Sequence, residues 1–510
     1  MGNLEIFLAI ILGCFILLFL LLPSTTNINY IYTLLPWNWP FMKLMPTAYL
    51  KSHQLYDKIT DVLSEHNGTV LFQTSWFTNL DILVTSDPVN VQHVMNSKFT
   101  IYQRGTEFRK AFDFLGDAAF IKELDEWKED KKFTHAFYKE IRFQKSIPET
   151  TRHTLEKALI PVLDHASSQN QVVDLQGLFH RYMLDATCLM ATGSDLGSLR
   201  VGFPDCPLLD AMDDVAEAVF WRQILPERVW RMQRWLNIGK EKKMGHACVT
   251  LNRILAGYVS GKKRGKDDDE SFDVLKFYMD EASTEKQTSN VFLAANLMTL
   301  LFAGRDTSAA LLTWFFYLLS KNPSVENAIS EEIGRCGGDS IAPGRKHVFF
   351  RPEELSKLVY LQCALMETLR LFPTAPVIIR DPNREDVLPG GQRVGKKTKV
   401  VLCTYAMGRS PEIWGEDCGV FKPERWMCGG DGGGGVKVKH VGSNSFLAFG
   451  AGPWACPGKE VAFARLKGVA ATIMHNYHVR VSEGQTASPS VSALLTMRHG
   501  LKATLSNRWI

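Results

Sequence analysis

One cysteine in a loop of glycines and prolines constrains this chain more than any other feature. The stretch Phe449-Gly450-Ala451-Gly452-Pro453-Trp454-Ala455-Cys456-Pro457-Gly458 runs straight into an amphipathic segment. Phe463, Leu466, Ala470, Ile473, Met474 and Tyr477 recur there at helical spacing on one face. A cysteine at a helix N-terminus meets backbone N–H groups and the positive end of the helix dipole, and both favour its thiolate. Gly450, Gly452 and Gly458 let the backbone approach something flat and large. A thiolate presented this way suits a haem iron as an axial ligand that pushes electron density toward bound oxygen. An ordinary turn around a buried cysteine is the plain alternative.

The loop resembles the haem-ligand signature of the cytochrome P450 family, Phe-x-x-Gly-x-Arg-x-Cys-x-Gly. It matches at Phe449, Gly452, Cys456 and Gly458, and departs at Trp454, where the family has arginine. The resemblance extends over essentially the whole chain, because further family motifs follow in order. Ala303-Gly304-Arg305-Asp306-Thr307-Ser308 lies in a long, apolar, proline-free run from Asn290 to Lys321, stopped by Pro323. Two charged residues inside such a buried helix need a reason. The resemblance implies one: Ala303 and Gly304 leave room for the cofactor and dioxygen. Thr307 donates a hydrogen bond to bound oxygen and holds a water, and Asp306 relays protons inward. A helix kink with a Thr-to-carbonyl bond is the structural alternative.

The third motif is Glu367-Thr368-Leu369-Arg370, joined downstream by Phe421-Lys422-Pro423-Glu424-Arg425-Trp426. The family pattern implies a buried Glu367–Arg370–Arg425 cluster that holds the ligand loop. Trp127 and Lys131 match a family Trp-x-x-x-Arg pair that faces a haem propionate, with lysine in place of the arginine fork. Arg380, after Pro373-Thr374-Ala375-Pro376, matches another propionate partner. Several stretches look like the plant branch of mid-chain alkane and fatty-acid hydroxylases: Pro36-Trp37-Asn38-Trp39-Pro40, Val387-Leu388-Pro389-Gly390-Gly391, Tyr405-Ala406-Met407-Gly408-Arg409 and Met497-Arg498-His499-Gly500-Leu501-Lys502. That branch also contains phenol-coupling alkaloid enzymes.

Two departures touch the ligand loop. Trp454 removes a cation that would neutralise a propionate, leaving Lys131 and Arg380 for the task, at a cost of about 1–3 kcal/mol in haem retention. Pro457 has no N–H to donate to the ligand sulfur. The sequence therefore predicts an unusual reduction potential.

Composition fits one large core. The chain has 510 residues, 45% of them apolar, and a net charge of +4, too small and dispersed for nucleic acid. The ten cysteines form no Cys-x-x-Cys pair or disulfide framework and read as reduced. Ile6 to Leu22 carries no charge and ends at Pro23, long enough for a bilayer core. The expected organisation is an N-terminal transmembrane anchor over 1–23, a proline and aromatic connector over 24–46, and a haem-thiolate monooxygenase domain over 47–510. By resemblance the anchor is that of an endoplasmic-reticulum P450 with its catalytic domain facing the cytosol. The expected fold is mainly α with small β-sheets, the cytochrome P450 fold.

The resemblance implies haem b ligated by Cys456, O2, and electrons from NADPH through NADPH-cytochrome P450 reductase. Lys131, Lys132, Lys139, Arg142 and Lys145 could dock that reductase or form a plain solvated face. The substrate would be a hydrophobic long-chain alkane or fatty acid. Its contacts by resemblance are Phe112 to Phe120, Ala303, Val377 to Ile379 and Leu494/Leu495. Asp210 to Asn237 reads as helical on either side of Pro226, and its Trp/Arg face could meet membrane lipid or pack inward. Phenol coupling is the alternative chemistry, and a haem-binding protein with impaired turnover is the alternative class.

Overall fold

The computed structural model describes residues 54–72, 81–225, 227–264, 272–341, 346–429, 435–490 and 492–508. The anchor and connector expected at the N-terminus lie outside these residues. No described helix is long and apolar enough to cross a membrane. The helices that build the site are, in chain order, α1 (Leu55–Glu65), α2 (Pro88–Gln92), α3 (Gly105–Ala111), α4 (Leu124–Thr134), α5 (Ile141–Thr154) and α6 (Leu175–Thr192). They continue with α7 (Pro207–Ile224), α8 (Glu227–Leu236), α9 (Gly239–Arg264), α10 (Asn290–Lys321), α11 (Val359–Leu371) and α12 (Lys459–Asn476). The small sheets are secondary to this helical mass, in line with a mainly α fold.

Helix α10 is the axis. The Ser289 hydroxyl accepts from the Phe292 N–H and caps its start, and Asn322 and Pro323 end it. Its apolar side chains are buried on most sides, against α6 along much of its length and against α9, α11 and α12. Such all-round burial is what an apolar helix inside a large domain requires. Helix α12 is buried in the same way, and Tyr477 lies beyond its end as the first residue of a strand.

Five short strands form one sheet: β1 (Thr69–Phe72), β2 (Ile82–Thr85), β3 (Tyr102–Gln103), β4 (Ile378–Pro382) and β5 (Lys399–Leu402), in the order β1-β2-β5-β4-β3. Strand β3 pairs antiparallel with β4, Tyr102 opposite Pro382 and Gln103 opposite Asp381. One step further, this register brings Arg104 level with Arg380. A second sheet joins Tyr477–Val481, Lys502–Asn507 and Val173–Asp174. The nine described cysteines are all free.

Of the aromatics around Pro226, Phe220 and Trp230 are core, while Trp235 is 82% exposed at the end of α8. Leu495 lies in the core, its carbonyl accepting from the Trp314 indole, and not on an open substrate face.

A buried cation in α12 gives a stability prediction. Lys467 is enclosed, its Nζ 3.4 Å from Gln362 Oε1. Burial lowers its pKa to about 8, although Glu332 nearby acts in the opposite sense. A base with a lowered folded pKa destabilises the fold fully below pH ~8, and the cost fades as pH rises toward its unfolded value near 10.4. Lys467→Met is therefore expected to stabilise by about 1–3 kcal/mol at neutral pH. The gain in Tm at pH 7 should shrink above pH 8; a gain that is the same at both pH values would contradict this origin.

Candidate functional site

The ligand loop is a tight structure held by its own backbone. The Cys456 N–H donates to the Phe449 carbonyl at 2.7 Å, and the Gly450 N–H to Leu447 O at 2.8 Å. Gly450 and Gly452 both have positive φ, +70° and +57°. A Cβ on Gly452 would stand 2.3 Å from Met95 O, so this glycine also lets the loop seat against the segment after α2. Gly458 differs. A Cβ there would make only ordinary contacts, and the role it shows is its N–H, donated to the Cys456 sulfur. The donor missing at Pro457 is thus present one residue on. Surrounding protein raises the thiol's pKa above its usual value, and the Gly458 N–H only partly offsets this. The helix start alone does not yield the low-pKa thiol expected from the sequence; a bound metal cation is what would deprotonate it.

Beside the loop the fold gathers three cations, and Asp381, next to Arg380, acts on it only at a distance. Arg104, Lys131 and Arg380 surround the Trp127–Trp454 pair, whose rings lie 4.1 Å apart. The Arg104 and Arg380 guanidiniums sit 5.1 Å and 5.5 Å from the Trp454 ring. Lys131 Nζ lies 4.5 Å from the Trp127 ring and donates to the Pro453 carbonyl. Among the described residues none of the three forms an ion pair. Arg104 Nη1, Arg380 Nε and Trp454 Nε1 are buried donors with no acceptor. Burial and then Arg380 hold Arg104 well below its usual range; burial lowers Arg380 to about 10, although Asp381 acts in the opposite sense. Burial and then Arg104 lower Lys131, and burial and then Lys131 lower His135 to about 4. Mutually repelling, unsatisfied cations around one point call for a dianion. The two carboxylates of a haem meet that need. Cys456 would hold its iron, and Arg104, Lys131, Arg380 and Trp454 its carboxylates.

On α10 burial loosens between Thr299 and Thr307: Ala303 is exposed, and Thr299, Leu300, Phe302, Gly304 and Thr307 are half-buried. Thr299, Ala303 and Thr307, four residues apart, form one stripe along this opening. The Thr307 hydroxyl donates to the Ala303 carbonyl at 2.7 Å. Gly304 does not share this face. A Cβ there would stand 2.7 Å from Thr187 Oγ1 on α6, so close helix packing explains the glycine better than room for a cofactor does. Thr187 in turn accepts from the Arg465 guanidinium of α12 at 3.1 Å. Asp306 also points away from the stripe. Its carboxylate accepts from Arg305 Nε and lies 3.6 Å from His180 Nδ1 of α6. Arg305 reaches on to Asp213 of α7, which is 58% exposed.

Glu367, Arg370 and Arg425 form one network. Glu367 is completely buried and takes both oxygens of its carboxylate into two 2.8 Å bonds from Arg370. It also accepts from Arg425 Nε at 3.0 Å, the Lys422 N–H at 2.9 Å and the Trp426 indole at 2.8 Å. Trp426 packs edge-on against Phe446, on the chain leading into the ligand loop.

Arg104, His180 and Asp213 carry no signal in the sequence. Arg104 is a lone arginine before Gly105, and only the β3–β4 register places it beside Arg380.

The cytochrome P450 family model matches residues 34–505. Alkane hydroxylase MAH1 of Arabidopsis thaliana is 37% identical over 480 residues, 92% of this chain and 93% of that protein. A noroxomaritidine synthase of Narcissus aff. pseudonarcissus MK-2014 is 33% identical over 509 residues, 99% and 96% of the two chains. Cytochrome P450 86B1 of Arabidopsis thaliana is 34% identical over 483 residues, 92% and 85%. A cysteine loop, a cationic cradle and an Asp–Thr helix define a haem-thiolate site, and the chain belongs to the cytochrome P450 family. It is a cytochrome P450 monooxygenase.

Proposed function

We propose that this enzyme hydroxylates a long aliphatic chain, an alkane or a fatty acid, while anchored at the endoplasmic reticulum membrane and fed electrons from NADPH by a cytochrome P450 reductase. The observation that carries the substrate class is an aromatic wall that reaches α10 at Phe302. Phe108 and Phe112 stack at 4.3 Å, Phe112 meets Phe120 edge-on at 6.1 Å, and Phe114 meets Phe302 of α10 edge-on at 5.1 Å. Arg222 behind that wall is paired, with Glu241 through two nitrogens and also with Asp113, while Arg104 stands over Phe120 at the end that faces Trp454. Such a wall offers area to an aliphatic chain and few polar groups to bind a phenol. The identity to an alkane hydroxylase supports the same reading. Exposed Met232, Trp235, Leu236 and Ile238 suit a membrane surface.

Bound haem would supply oxygen activation; the chain's part is to orient and move protons. Thr307 keeps a hydroxyl on the open stripe, parked on the Ala303 carbonyl. Asp306 waits on the opposite side, between Arg305, His180 and the surface at Asp213. A proton taken up there reaches Thr307 once the carboxylate turns from Arg305 toward the stripe. This arrangement admits protons through one carboxylate and keeps bulk water off the apolar wall.

Purified enzyme with reductase and NADPH, offered alkanes, fatty acids and phenols, tests the substrate class. Alcohols from the aliphatic substrates are expected. Coupled phenols with no aliphatic alcohol would favour the chemistry of a coupling oxidase, a reading kept open by the noroxomaritidine synthase relative.

A further inference from the structure

Trp454 stands where the family loop carries an arginine, and its surroundings give it a positive role. Its ring lies within cation–π reach of two guanidiniums and against a second indole, with Arg104 at 5.1 Å, Arg380 at 5.5 Å and Trp127 at 4.1 Å. Its N–H is a buried donor without an acceptor, as are one nitrogen of Arg104 and one of Arg380. Arg104 is itself braced on its other side by the Phe120 ring at 3.9 Å. A cation stacked on aromatic rings keeps its charge while losing its water. Three donors thus converge around one ring, and two of them are full charges held in place by that ring.

We propose that Trp454 is itself a haem-carboxylate ligand, its indole N–H donating to a propionate while its ring clamps Arg104 and Arg380, with Arg104 supplying the charge that the loop arginine supplies elsewhere. The proposal rests on the haem-thiolate reading of the site and is independent of the substrate. It predicts that arginine at 454 is no improvement in this chain. A third guanidinium there would face Arg104 and Arg380 at close range and would forfeit the stacking on Trp127.

The test is the rate of haem transfer from the ferric holoenzyme to excess apomyoglobin. Trp454→Phe keeps a ring and removes the N–H, a donor to a charged acceptor, so haem loss is expected to be about tenfold faster or more. Trp454→Arg is expected to lose haem at least as fast as the unaltered protein. Arg104→Gln, which leaves the ring stack in place and serves if the Phe variant does not accumulate, is expected to lose haem faster by a similar factor. It should also shift the reduction potential negative, because a positive charge near the iron has gone. A Phe variant that holds haem like the unaltered protein, an Arg variant that holds it more tightly, or an unchanged rate in Arg104→Gln would each overturn the proposal. A protein that takes up no haem at all would instead contradict the site reading on which it rests.

Discussion

Glu367→Ala is expected to yield no haem-loaded protein. The carboxylate is completely buried and receives five hydrogen bonds, from Arg370 twice, Arg425, Lys422 and Trp426. Removing it strands the Arg370 guanidinium, which is 1% exposed, beside a second arginine. Breaking a buried ion pair by deleting one partner costs about 3–5 kcal/mol. A whole domain is stable by only about 5–15 kcal/mol. The loss also frees Trp426, and with it Phe446 and the approach to Cys456. Glu367→Gln separates shape from charge. It keeps one acceptor oxygen but leaves the buried Arg370 without its ion pair, while Arg425 retains Asp417 at 3.1 Å, and it should fail nearly as badly. Haem content per mole of soluble protein checks this; normal content in the glutamine variant would show that the charge does not matter.

Asp306→Asn should fold and bind haem yet turn over roughly 10²–10⁴ times more slowly, the usual contribution of a positioned proton-transfer group. The fold survives because Arg305 keeps its second partner, Asp213. The slow step becomes proton delivery, so the solvent deuterium isotope effect on turnover should rise. NADPH consumed without product should rise with it. Retained turnover with an unchanged isotope effect would remove Asp306 from the proton path.

What could be read in the sequence was local. The bounds of α10 follow from Ser289 and Pro323, which act within one turn of the helix ends. Glu367 and Arg370 share a helix face because they are three apart, and their pairing needs little else. The rest depended on elements far apart in the chain. Arg104 meets Arg380 only through the β3–β4 register. Gly304 is explained by Thr187 on a different helix, and Asp306 by His180 and Asp213 on two others. The raised pKa of the Cys456 thiol has a related reason: the dipole and N–H groups are local to the loop, while the desolvation that opposes them comes from surrounding protein. Trp230 and Trp235 look alike in sequence, yet they fall on opposite faces of α8, one in the core and one in solvent.

The carbon-monoxide difference spectrum of the reduced, full-length protein tests the central claim most directly. A strongly red-shifted, thiolate-type Soret band is expected, lost in Cys456→Ser while the Glu367 network stays intact. A band of the histidine- or thiol-ligated kind in the unaltered protein, or a thiolate band that survives Cys456→Ser, would contradict the account.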